Sequence, residues 1–210
     1  MKTVMTHRLK NIERYLTGML SVLLALALVS CGGAPTTRPE ATTVEQTKLT
    51  VADIDSDTQE AFDEALGLLK EEKYDAAISL LNQLVENEQR FAAPYVNLGM
   101  AYLKKDERKL AEENLRKALD IDLGHPVANN ELGLLYRKQG RFDEARKAYQ
   151  NALIVHPDYL PARKNLGILC EIYLRDLNCA LEQFEQYQEY VPDDKTVNIW
   201  VADLKRRLGQ

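Results

Sequence analysis

The sequence predicts an all-α fold, a solenoid of about four helical hairpins closed by one further helix. Small and aromatic residues recur every 34 residues, in registers that open at Thr58, Ala92, Pro126 and Leu160; a fixed period of that length marks stacked helical hairpins. The seams between registers carry stop and start signals, Leu123-Gly124-His125-Pro126 and His156-Pro157-Asp158. A composition of 45% hydrophobic and 28% charged residues suits a folded chain in water, and excludes both a disordered chain and one built wholly inside a membrane.

The N-terminus reads as an address. Lys2, Arg8, Lys10 and Arg14 form a positive leader, and an apolar stretch of about 14 residues follows from Leu16 to Val29. That is short of the roughly 20 residues a spanning helix needs, and it fits a signal segment over 1–30. Leu28-Val29-Ser30-Cys31 resembles the lipobox of bacterial lipoproteins. The resemblance implies cleavage before Cys31 and lipidation of that residue. The acyl chains would exceed the two-signal threshold for stable anchoring. Gly32 and Gly33 follow, with no Asp after the cysteine, which in Gram-negative lipoproteins implies sorting to the periplasmic side of the outer membrane.

Residues 32–57 are rich in Thr, Pro, Gly and charge and poor in large apolar side chains. Such a segment cannot offset its ordering entropy, and with the lipidated cysteine it is expected to form a tether over 31–57. About 26 residues would reach several tens of Å from the bilayer.

The array is expected over 58–194. Its third unit carries Leu132-Gly133, Tyr136, Gly140, Ala145, Tyr149, Ala152 and Pro157; the second carries Tyr95, Leu98-Gly99, Tyr102, Ala111, Leu115 and Ala118. The first keeps Ala65, Leu68, Ala77, Leu81 and Leu84. The fourth has Leu166-Gly167, Cys170, Ala180, Phe184, Tyr187 and Pro192, with one residue added in its internal turn. This pattern resembles the tetratricopeptide repeat family and implies a right-handed α-solenoid. Gly or Ala at the eighth place and Ala at the twentieth let the two helices of a hairpin approach, and the aromatic places fill the space between them. No hairpin can bury itself alone, so stacking supplies the core. A capping helix is expected within 195–210, with Lys205, Arg206 and Arg207 at its C-terminus and Trp200 placed to seal the fourth unit.

Reactive chemistry finds little support. The net charge of -5 argues against a phosphate-tracking surface for nucleic acid. The histidines are His7, His125 and His156, and the last two fall at inter-repeat turns, where capping accounts for them. No G-x-S-x-G, H-E-x-x-H or Gly-rich phosphate loop occurs, so the expectation is a protein without catalytic residues, cofactor or metal. Cys170 and Cys179 lie at places that face each other across a hairpin of the resembled family. An exported chain permits a disulfide between them, and two buried free thiols are the alternative.

The resemblance also implies a concave groove lined by the first helix of each hairpin. Carried onto this chain, its contact places give Phe62, Leu66, Val96, Met100, Leu134 and Ile168 as an apolar floor, and Asn130, Arg137 and Lys164 as polar points. A peptide or helix of a protein partner would use both. Lys164 and Asn165 match two places of the carboxylate clamp of chaperone adaptors, but Ile168 breaks the third. The layout of lipid, tether and short array resembles envelope adaptors that serve pilus or secretion assembly. It also resembles those that recruit cell-wall hydrolases, and pilus or secretion assembly is the favoured of the two. A self-associating structural protein, dimerising through groove or capping helix, is the reading of another class.

Overall fold

The computed structural model describes residues 54–210. The signal segment, Cys31 and the tether up to residue 53 lie outside the described residues. Helices follow in the order α1 (Ser56–Lys70), α2 (Tyr74–Asn87), α3 (Ala92–Lys104), α4 (Arg108–Ile121), α5 (Pro126–Lys138), α6 (Phe142–Val155), α7 (Leu160–Ile168, running on as a wider turn over Leu169–Leu174), α8 (Leu177–Tyr190) and α9 (Lys195–Leu208). They pair as four antiparallel hairpins, α1/α2 to α7/α8, with α9 closing the stack against α8. The array opens two residues earlier than the sequence suggested. Asp55 caps α1 by accepting from the Thr58 backbone N–H at 2.8 Å, so residues 56 and 57 belong to the helix and not to the tether.

Close approach of paired helices sets the hairpin geometry. A Cβ on Gly99 would lie 2.5 Å from Leu115 Cγ, and one on Gly167 would lie 2.5 Å from Phe184 Cε1. Gly133 stands in the same relation to Tyr149. Leu115, Tyr149 and Phe184 are fully buried, and burying each contributes about 1.5–3 kcal/mol. One core runs from Val96 through the later hairpins to Val197, Val201 and Leu204 of α9. A smaller one joins Phe62, Ala65, Leu81 and Leu84 to Phe91 and Leu98, with the Phe62 and Phe91 rings edge-on at 5.1 Å.

Each hairpin turns through one left-handed residue. These are Glu72 (φ 60°), Asp106 (φ 60°), Gly140 (φ 77°) and Arg175 (φ 57°). The residue that follows donates its N–H back to the eleventh-place carbonyl: Lys73 to Leu68, Glu107 to Tyr102, Arg141 to Tyr136 and Asp176 to Cys170, all at 2.9 Å. The last bond spans one residue more than the others. The added residue therefore lies between Cys170 and Asp176, where the chain widens over Leu169–Leu174. The disulfide Cys170–Cys179 straddles this wider turn, with Cα atoms 5.9 Å apart. Sequence alone left that pairing open against two free thiols.

A latch at the fourth place of a unit locks successive hairpins together. Asn129 Nδ2 donates to the Leu123 carbonyl at 2.9 Å, and Asn198 Nδ2 donates to the Pro192 carbonyl at 2.9 Å. Arg163 Nη2 donates to the Pro157 carbonyl in the same way. Sequence reading missed this device, although its polar side chains recur one unit apart. At the end of the stack, Trp200 lies on Phe184 with ring centroids 5.1 Å apart, and Lys164 pairs with Asp194 at 3.0 Å.

Three outcomes follow for stability. Asp106→Gly relieves a left-handed non-glycine residue and is expected to stabilise by about 0.5–1 kcal/mol, whereas Gly140→Ala destabilises by about 1 kcal/mol, both read by urea unfolding. Replacing Cys170 and Cys179 together by Ala removes the constraint on a loop of about ten residues and is expected to cost about 2–3 kcal/mol, a difference that disappears when wild type is measured under reducing conditions.

Candidate functional site: the face of the first helices

The first helices of neighbouring hairpins touch: α1 meets α3, α3 meets α5 and α5 meets α7. Clefts of about 490 and 600 Å³ instead separate α4 from α6 and α6 from α8. The array thus bends toward its first helices, and α1, α3, α5 and α7 line the inner face. At its first step this face has a small hollow of about 210 Å³, bounded by Leu69, Lys70, Met100 and Lys104.

The nine groove residues expected from sequence divide. Leu66 and Met100 are exposed, and Leu134, Arg137 and Ile168 are half-buried, so all five stand on or at the inner face. The other four are corrected by their packing. Phe62, Val96 and Asn130 are 5%, 3% and 4% exposed and point between helices. Asn130 accepts from Asn165 Nδ2 at 2.9 Å and donates to Glu131 Oε1 at 3.0 Å, which ties α7 to α5. Lys164 pairs with Asp194 and lies over the rings of Tyr187 and Trp200, at 5.2 and 5.6 Å, so it fastens α9 and is not a free polar point.

Two residues join the face beyond that set of nine. Ile172 is 57% exposed, and Tyr173 lies beside the Arg137 guanidinium at 5.9 Å, with its ring 4.9 Å from that of Phe142. Tyr173 comes into reach because the added residue widens the chain there, and the extra residue in the 34-residue spacing was its only sequence signal. Arg137 has no carboxylate within ion-pair distance among the described residues, and its Nη1 is buried without a partner. The buried Tyr149 hydroxyl also has none, and burial pushes its pKa well above the ordinary tyrosine range. Of the two, Tyr149 is enclosed within its hairpin, and the half-buried Arg137 is the donor that stands at the face.

Glu131 gives the same face a pH response. Burial raises its carboxyl above the usual range, against the Asn130 hydrogen bond and the nearby Lys138 and Lys104. The folded chain therefore holds this proton more tightly than the unfolded chain. Its contribution is most favourable below the unfolded value of about 4.3, and is lost as pH rises through the raised folded value.

No group of three His, Cys, Asp or Glu side chains that could hold a metal occurs among the described residues. None of their helices is long and apolar enough to cross a membrane. His125 acts as the cap of α5, accepting from the Ala128 N–H at 3.4 Å.

Helical hairpins stacked with their first helices on one shared face define an α-solenoid scaffold for protein contact. The chain carries tetratricopeptide repeats: residues 92–125 and 126–159 each match a model described as the tetratricopeptide repeat. It is 32% identical over 97 residues to the probable UDP-N-acetylglucosamine–peptide N-acetylglucosaminyltransferase SPINDLY of Solanum lycopersicum, a match covering 46% of this chain and 10% of that protein. It is 30% identical over 121 residues to the uncharacterized protein ycf37 of Pyropia yezoensis, covering 56% of this chain and 67% of that one. The chain thus spans about a tenth of the transferase, whose activity does not carry over with the match. Among solved structures, Pseudomonas aeruginosa PilF superposes with a TM-score of 0.63 at 24% identity, over 71% of this chain and 68% of that one, a likeness of fold.

Glu131→Gln is expected to match wild type in stability near pH 3 and to exceed it near pH 8, measured by thermal unfolding across that range.

Proposed function

We propose that this protein is a non-enzymatic interaction scaffold, held by acyl chains on Cys31 at the periplasmic side of the outer membrane. Its inner face receives a peptide or helix from a complex of the cell envelope. The observation that carries the reading is the inner face itself. Leu66, Met100, Ile168 and Ile172 form a partly exposed apolar row along α1, α3 and α7, and Arg137 stands among them without a carboxylate. Apolar contacts of this kind supply affinity, and a buried donor without a partner supplies discrimination. The N-terminal charge and apolar pattern, with Cys31 placed as in a lipobox, supports the membrane root. Assembly of a pilus or secretion complex is the favoured process, since that layout resembles its adaptors and the PilF likeness in fold is compatible with it.

Self-association is the second reading, and one observation favours it: Ile199 on α9 is largely exposed beside the end of the stack. The two readings separate in one experiment. Met100→Glu and Arg137→Glu are expected to cut capture of an envelope protein at least about tenfold after crosslinking in intact cells, with helical content and oligomer mass unchanged. Unchanged capture by both variants would reject the inner face as the docking site.

A further inference from the structure

The outer side of the array carries two clefts. The clefts between α4 and α6 and between α6 and α8 are the same feature one unit apart, and their chemistry differs. The first is floored by Asn129 and lined by Arg116 and Lys147 against Asp120 and Glu144, a balanced set. The second is floored by Arg163 and lined by Arg146 and Lys147 against Glu182 alone, on a chain whose net charge is -5.

Arg163 decides what the second cleft is for. It is 7% exposed, and its acceptors are the Pro157 carbonyl, Gln186 Oε1 and, at 3.4 Å, Gln183 Oε1. All three are neutral. No carboxylate lies within 4.0 Å of its guanidinium among the described residues, and its Nε is buried without a partner. The latch explains the hydrogen bond to Pro157 but not the charge, because Asn129 and Asn198 make that bond with a neutral amide. A buried cation without a counter-charge is costly, so the charge calls for an anion. Among the described residues, Arg146, with its own Nε unpartnered, pairs with Asp176 alone, at 3.5 Å.

We propose that the cleft between α6 and α8 binds an extended acidic segment of a protein partner, its carboxylate received at Arg163. The cleft's volume of about 600 Å³ takes several residues of extended chain. The amides of Gln150 and Asn151 line it and match backbone N–H and C=O groups. Leu153 and the exposed Ile154 offer an apolar edge for an alternate side chain. This site is separate from the inner face and does not rest on the reading of that face.

The test uses the full chain and a fluorescein-labelled octapeptide of alternating glutamate and leucine, followed by anisotropy. Saturable binding is expected, weakened by salt and abolished when glutamine replaces glutamate in the peptide. Arg163→Asn keeps the latch as the sister positions build it, so melting stays near wild type while binding weakens at least about tenfold. Arg137→Glu, on the inner face, leaves binding unchanged. Should Arg163→Asn fail to fold, Arg146→Gln in the same cleft is expected to show the same loss. Four results would each overturn the proposal: no saturation at millimolar peptide, equal binding by the cleft variants, loss through Arg137→Glu, or displacement by succinate at concentrations equal to the peptide's.

Discussion

Everything in this array depends on how closely two helices of a hairpin can approach. Three glycines at the eighth place, Gly99, Gly133 and Gly167, each lie under a large buried side chain from the facing helix, Leu115, Tyr149 or Phe184. A side chain at these three places would push the pair apart. The facing Leu115, Tyr149 or Phe184 would then lose its contacts, and the eleventh-place carbonyl would move away from the N–H that closes the turn. Close hairpins let neighbouring first helices touch, and that contact bends the array and creates its inner face. The site is thus a consequence of packing, with no loop specialised to carry it.

Repetition then allows one position to be varied while its neighbours keep the scaffold. At the fourth place the latch is Asn129, Arg163 or Asn198, and the bond persists while the charge changes. The ion pair that bridges second helices behaves likewise. Arg141 holds Glu112 at 2.9 Å between α4 and α6, and one unit later the signs are exchanged, with Asp176 facing Arg146 at 3.5 Å. Structure is conserved along the stack and electrostatics is not. Differences between equivalent places are therefore where function is to be sought.

The scaffold was legible in the sequence because its constraints are steric and periodic. Helices α3, α5 and α7 begin at Ala92, Pro126 and Leu160, the very residues at which the 34-residue registers open. The inner face was legible only in part, for a different reason. Periodicity assigns a side chain to a face but not to a depth. Phe62 and Val96 share the helical phase of Leu66 and Met100, yet they lie one turn nearer the packed end of their helices and are buried. Lys164 has the position of a groove cation but finds Asp194 on α9, and a partner 30 residues away leaves no trace in a local pattern. Tyr173 was hidden because a single added residue shifts phase, and the direction of a widened turn is set by packing.

The two faces also differ in what they ask of a ligand. The inner face is an apolar row with one arginine, suited to a partner whose buried area supplies the affinity and whose single acceptor fixes its register. The outer cleft is polar and positive, where attraction is long-ranged and falls with salt while little apolar area is covered. Because α7 contributes Ile168 and Ile172 to one face and Arg163 to the floor of the other, the same helix lies beneath both. A disulfide and the capping helix restrain the fourth hairpin from two directions, so α7 holds its side chains on both faces in fixed relation to each other.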